Sequence, residues 1–241
     1  MRLAQLLFGQ GFGTRRECAA LVAAGEVSFG GRVVDDPDAE VDVAEGDTFD
    51  VRGQRWPYHA RALLLLHKPA GVECSQRPRH HPSVLALLPP PLRRRGVQPV
   101  GRLDADTTGL LLLTDDGALI HRLTSPKRHV AKVYEVTTKH PATPALAQAL
   151  VDGVQLVDEP QPVRAAACER TGERALRLTL TEGRYHQVKR MVAAAGNRVE
   201  SLHRSVFGAL TLDPDLPPGA WRWARADERA AIGIDAGATS R

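Results

Sequence analysis

The 241-residue chain has three cysteines, Cys18, Cys74 and Cys168, scattered and odd in number. That argues against a disulfide framework and for a reducing compartment, the cytoplasm. No run of about 18 apolar residues occurs, so no membrane span is expected. The opening residues, Met1-Arg2-Leu3-Ala4, pass straight into an amphipathic pattern, so no secretory leader is expected. No dinucleotide-binding glycine fingerprint or P-loop is present. Cys74 with His80 and His81 offers one thiol and two adjacent imidazoles, a poor tetrahedral metal set. Neither a metal nor a small-molecule cofactor is therefore expected. Lysine is scarce, 5 against 27 arginines, and Lys68, Lys132 and Lys189 all lie in motif-bearing segments.

Apolar residues make up 43% of the chain, enough for a sizeable core. The length suits one small and one larger domain. Charge is divided unevenly between them. Residues 1–52 carry 5 arginines and 10 acidic residues, net −5, whereas residues 53–241 carry net +9. A basic larger domain suits an anionic partner, nucleic acid above all. Simple solvation of the surface is the competing reading.

In the first 52 residues, Leu3, Leu6 and Leu7 share a helical face, and Gly11 and Gly13 break that helix. Thr14-Arg15-Arg16-Glu17 reads as a capping box opening a second helix, which Gly25 stops. Val27–Phe29 and Arg32–Val34 flank a Gly30-Gly31 turn, a hairpin signature. Two helices leading into a hairpin resemble the S4 RNA-binding module. The resemblance places Arg2, Arg15 and Arg16 against RNA backbone; solvated first-turn residues are the alternative. The acidic stretch from Asp35 to Asp50 repels phosphate and leaves the Arg15–Arg16 face as the RNA surface. Residues 53–61 lack periodicity, contain Pro57 and read as a linker. Residues 232–241 are small, include glycine and are expected to fray.

Between them, residues 62–231 read as a second domain. Buried strands are expected at Ala62–Leu66 and Leu110–Thr114, and a β-branched strand at Lys132–Thr138. Helices are expected near Ala118, ending at Ser125-Pro126, and from Pro144 to Val151. Ser83–Leu88 forms a short helix within a Pro/Arg/His-rich stretch. There, Arg93-Arg94-Arg95 either flanks an RNA channel or is an ordinary solvated loop. Arg174–Thr181 alternates like a half-buried strand. Val188, Met191, Val192 and Ala195 mark one helical face, which puts Lys189 at its margin and Arg190 nearly opposite. A marginal lysine reaches a cleft while its stem stays packed, which favours Lys189 over Arg190 for a site role. Strands and helices without regular βαβ repetition argue for an α+β fold with a largely antiparallel sheet.

Three spaced motifs carry the chemistry. They are His67-Lys68-Pro69-Ala70-Gly71, the run Gly101-Arg102-Leu103-Asp104-Ala105-Asp106-Thr107-Thr108-Gly109, and Glu182-Gly183-Arg184-Tyr185-His186-Gln187-Val188-Lys189-Arg190-Met191. Together with Lys132-Val133-Tyr134, they closely resemble the RsuA branch of the pseudouridine synthases. That family's catalytic fold is a mixed, mainly antiparallel sheet flanked by helices, with a small S4-like module ahead of it.

The resemblance implies an isomerase that breaks a uridine's N-glycosidic bond, turns the base and rejoins it through carbon. It makes Asp104 the catalytic carboxylate, acting on the sugar or through a glycal. Lys189 would be its cationic partner, since desolvation alone would raise the carboxyl's pKa. Tyr134 would stack on the flipped base. Arg102 would fill the gap left in the RNA helix, and Arg184, His186, Gln187 and Arg190 would contact RNA. A bland reading makes Asp104 a turn or cap residue. Another makes Asp104 and Asp106 a paired-carboxylate site on one strand face. The third motif and Leu202-His203-Arg204 are more similar to small-subunit ribosomal RNA enzymes, and Gly13–Glu17 to large-subunit ones. The expected substrate is small-subunit ribosomal RNA or a partly assembled subunit, bound by a monomer. A large-subunit target and a non-catalytic assembly factor are the alternatives.

Overall fold

A computed structural model describes residues 1–234. The first part holds α1 (Leu3–Gly9), α2 (Arg15–Ala23), β1 (Val27–Phe29), β2 (Arg32–Val34), β3 (Thr48–Val51) and β4 (Gln54–Pro57). Thr14 caps α2 in the expected capping box: its hydroxyl accepts from Glu17 N, and the Glu17 carboxylate accepts from Thr14 N. The four strands form one antiparallel sheet in the order β2-β1-β3-β4. Residues 54–57 are thus a strand of this module, not linker. Pro57 is tolerated because it ends the edge strand.

The second part holds β5 (Leu63–Lys68), a 3-10 turn (Val84–Leu87), α3 (Pro90–Arg94), β6 (Gln98–Pro99), β7 (Thr108–Thr114) and α4 (Gly117–Thr124). It continues through β8 (Lys132–Thr138), α5 (Pro144–Asp152), β9 (Ala167–Gly172), β10 (Ala175–Leu180) and α6 (Gln187–Ala194). It ends with β11 (Val199–Phe207), β12 (Leu210–Thr211), β13 (Trp221–Trp223) and α7 (Ala226–Ala231). Among the described residues these strands build a nine-stranded sheet with the main path β13-β5-β7-β11-β8-β10-β9. β7 and β11 pair in parallel, and the other named pairings are antiparallel. The architecture is α+β with a mixed, mainly antiparallel sheet.

Two leucine runs explain the centre of this sheet. Leu64, Leu65 and Leu66 lie opposite Leu113, Leu112 and Leu111, and all are fully buried. Side chains alternate across a strand. Leu64, Leu66, Leu111 and Leu113 accordingly join one core, and Leu63, Leu65, Leu110 and Leu112 the other. Burying each leucine contributes about 1.5–3 kcal/mol. The first core runs on without a break into Leu3, Leu6, Leu7, Phe49 and Trp56 of the N-terminal module. The second packs under α4 and includes Ile232. Arg122 donates to the carbonyls of Ile232 and Gly233, so residues 232–234 are pinned rather than frayed. The rest of the expected tail, from residue 235, lies outside the described residues.

Arg94 and Arg95 of the arginine triplet fasten the two parts together, whereas Arg93 is solvated; none of the three lines the cleft beside Asp104. The Arg95 side chain is 2% exposed and pairs with Asp115, itself 9% exposed, at 2.7 Å. It also donates to Gln10 Oε1 at 2.7 Å and His59 O at 3.0 Å. Arg94 donates to Phe12 O. Gly11, at φ +85°, admits the carbonyl of Pro91 where a Cβ would sit 2.1 Å from it. Trp56 meets Trp223 edge to face across the junction, centroids 5.6 Å apart.

Arg95→Ala should destabilise the protein by about 3–5 kcal/mol, because it leaves Asp115 buried without its cation. Urea unfolding followed by tryptophan fluorescence tests this. A loss below about 1 kcal/mol would refute the junction's weight.

Candidate active site

The run from Gly101 to Thr107 is a loop that enters β7, and Lys68 holds it down. Lys68 ends β5 fully buried, and its ammonium donates to the carbonyls of Thr107 at 2.8 Å, Pro69 at 3.0 Å and Ala105 at 3.2 Å. Three carbonyls match three ammonium protons. Burial lowers this lysine's pKa, while Cys74, Asp106 and Asp104 act to raise it. Gly71 N also donates to Ala105 O at 2.8 Å. The Lys-Pro-x-Gly motif is thus the clamp on the Asp104 loop. Cys74 is a buried neighbour, its sulfur facing Leu103 N at 3.4 Å.

Asp104 precedes a turn closed by Thr107 N donating to Asp104 O. Asp104 and Asp106 therefore lie in a turn rather than on one strand face, which removes the basis of the paired-strand carboxylate reading. Lys189 reaches from α6 to both: its Nζ is 3.1 Å from Asp104 Oδ2 and 2.6 Å from Asp106 Oδ1. Burial pulls the Lys189 pKa down, but hydrogen bonds to Asp106 and Asp104 outweigh it and raise the pKa overall. Burial likewise pushes Asp106 up, and the Lys189 contact brings it below the ordinary value. His186 stands on the other side of Asp104, Nε2 to Oδ1 3.4 Å, in a left-handed backbone conformation at φ +46°. Tyr185 stacks on His186 at 3.9 Å and is 71% exposed.

A cleft of about 800 Å³ gathers Arg102, Asp104, Tyr134, Arg184, Tyr185 and His186. Arg102 is exposed beside Asp104 and Tyr134 is buried in the lining. Arg184 pairs with Glu182 and Glu159. Arg190 points away, paired with Asp158 and donating to Tyr185 O. Gln187 corrects the expectation of an RNA contact. It is 4% exposed, accepts from Arg184 N and donates to Glu182, so it shapes the loop from within. On the small module, Arg15 lies over the exposed Phe8 ring and Arg16 is exposed, whereas Arg2 pairs with Asp38. Sequence reasoning gave neither Arg204 nor Lys132 a role, though both line the cleft.

Comparison with known proteins gives a consistent picture. A family model described as RNA pseudouridylate synthase matches residues 62–194, and a model of the S4 domain matches residues 1–48. The ribosomal small subunit pseudouridine synthase A of Yersinia pestis is 48% identical over 170 residues, 70% of this chain and 72% of that protein. The protein of the same name from Pseudomonas aeruginosa is 41% identical over 232 residues, 96% of this chain and 100% of its own length. A crystal structure of a pseudouridylate synthase is 34% identical, with a TM-score of 0.68, covering 96% of this chain and 99% of that one.

The Lys189 bridge has a definite pH signature. Asp106 is lowered from 3.8, so its contribution is complete above that value and is lost as pH falls through its folded pKa. Lys189 is raised from 10.5, so its contribution is complete below that value and is lost as pH rises through its folded pKa. Lys189→Met should flatten both outer limbs of a stability–pH curve measured by urea midpoints. Unchanged limbs would refute the bridge.

Proposed function

The chain belongs to the RNA pseudouridylate synthase family, with an S4 domain ahead of its catalytic part, and on that premise we propose that it converts one uridine of small-subunit ribosomal RNA to pseudouridine through Asp104. The observation that carries the residue roles is the Lys189 ammonium 3.1 Å from the Asp104 carboxylate, at a cleft also lined by Tyr134.

A base inside a helix hides its glycosidic bond, so the target nucleotide is extruded into the cleft. Tyr134 stacks on the flipped ring, an interaction typically worth about 1–3 kcal/mol. The Lys189 ammonium, 3.1 Å from Asp104 Oδ2, orients the carboxylate and offsets its charge in the partly closed site. The carboxylate then works at the sugar–base junction, by attack on C1′ or by promoting a glycal. The bond re-forms at C5 once the base has turned. Arg102, at the rim beside Asp104, fills the gap left by the extruded base. Arg184, His186 and Tyr185 form the opposite rim and meet the flanking RNA. The S4 module adds affinity through Arg15, Arg16 and Phe8, its exposed cationic and aromatic face. A ribosomal substrate implies work in the cytoplasm, and no helix among the described residues is long and apolar enough to cross a membrane.

The protein incubated with unmodified small-subunit RNA, or with partly assembled small subunits, should produce one new pseudouridine by carbodiimide labelling and primer extension. A site appearing in large-subunit RNA alone would overturn the target. Asp104→Asn should lower the single-turnover rate by roughly a thousandfold or more while RNA is still bound. An equally active variant would sink the mechanism. Replacing Arg15 and Arg16 with glutamate should weaken RNA binding. It should also make the salt dependence of affinity shallower, by about one unit for each phosphate no longer neutralised. An unchanged slope would remove the S4 face from the RNA interface.

A further inference from the structure

The cleft is lined by two cations, Lys132 and Arg204, that have no ion-pair partner among the described residues. Arg204 in β11 lies opposite Tyr134 in β8, so their side chains share one sheet face. Lys132, two residues before Tyr134, shares that face as well. Phe207, three residues beyond Arg204, would ordinarily point the other way. The register instead slips at Ser205, a bulge that brings Phe207 opposite Lys132 and onto the same face. The Lys132 Nζ then lies 5.5 Å from the Phe207 ring centroid, and the Arg204 guanidinium carbon 5.0 Å from it.

Both cations are poorly satisfied. Lys132 is 9% exposed and donates to Val130 O at 2.8 Å; Arg204 is 2% exposed and donates from Nε to Leu110 O at 2.9 Å. The Arg204 Nη2 is buried with no hydrogen-bond partner, and neither residue has a carboxylate within salt-bridge distance among the described residues. Burial and the neighbouring Arg204 charge lower the Lys132 pKa, with Glu182 opposing. Like charges held together in a desolvated site are costly unless something negative joins them. Asp104 has its own cation in Lys189, so the unmatched positive charge is available to the substrate.

We propose that Lys132 and Arg204 hold the carbonyl oxygens of the flipped uracil and stabilise the anionic base released when its bond to C1′ breaks. The inference rests on the pseudouridine synthase reading. Whichever route Asp104 takes, the electron pair of the C1′–N1 bond departs with the base and spreads over N1, O2 and O4. When C5 bonds to C1′, that pair forms the new bond; C5 then loses its proton and N1 gains one, so no charge or atom is left over. Fixed positive groups at the carbonyl oxygens act where charge develops, in a site with little water. Stacking on Tyr134 and contact with Lys132 and Arg204 are compatible because all three come from one sheet face.

The test compares single-turnover rates on small-subunit RNA transcribed with uridine and with 5-fluorouridine, read as loss of the parent nucleoside at the target. Fluorine withdraws electrons and stabilises the anionic base, so it relieves the need for cations at the oxygens. Lys132→Gln should slow the uridine reaction by roughly a hundredfold, the size associated with losing one such donor. RNA affinity should stay within about threefold of wild type. The penalty should shrink about tenfold on 5-fluorouridine, and Lys132→Arg should restore most of the rate. Arg204→Gln should show the same substrate dependence. Equal penalties on both RNAs, or a loss explained by affinity alone, would overturn the proposal. A wild-type protein that forms no pseudouridine would instead overturn the function on which it rests.

Discussion

The parallel contact between β7 and β11 is the constraint on which the site depends. Gly109 in β7 lies beside Arg204 in β11, and a Cβ at Gly109 would sit 2.3 Å from the Arg204 carbonyl oxygen. With no side chain there, the two backbones close, and the leucine-rich half of the sheet joins the half built from β11, β8, β10 and β9. Asp104 comes from the loop entering β7, while Tyr134 and Arg204 come from the other half. A seam that opened by an ångström would separate Asp104 from Tyr134 and Arg204, which line the same cleft. The glycine in the motif is thus a packing requirement that sets the geometry of the cleft.

Charge placement around the seam is economical. Three of the chain's five lysines act there, and each has a different environment. Lys68 is buried among carbonyls and fixes the loop; Lys189 bridges two carboxylates; Lys132 lies with Arg204 over Phe207. Arginines dominate the rest of the surface, where a planar, permanently charged fork suits phosphate. The compact ammonium is used where one point charge must fit among backbone oxygens or between two aspartates.

The N-terminal module is joined firmly to this frame. Its core is continuous with one face of the central sheet, and Arg95 binds groups from both parts around one guanidinium. The exposed Arg15, Arg16 and Phe8 face is therefore carried on a fixed mount. Positioning RNA with such a module costs less conformational entropy than doing so with a tethered one.

Local sequence determined much of this protein. The capping box at Thr14, the β-branched strand Lys132–Thr138 and the helical phase that favours Lys189 over Arg190 each follow from residues within one or two turns or a single strand. The motif resemblance grouped Asp104, Tyr134 and Lys189; Asp104 and Tyr134 line the cleft, and Lys189 reaches Asp104. Tertiary structure decided the rest. The acidic segment of the module hid the strand Thr48–Val51, and a proline hid Gln54–Pro57. Gln187 looked like an RNA contact until the loop ahead of α6 folded over it. The arginine triplet read as either the flank of an RNA channel or a solvated loop, yet Arg95 finds partners as distant in sequence as Gln10. Arg204 and Phe207 share a face because a bulge adds a residue, which no periodicity records. Propensity and phase are properties of neighbouring residues, whereas burial, bulges and ion-pair partners are set by chain segments that meet only when the whole sheet has formed.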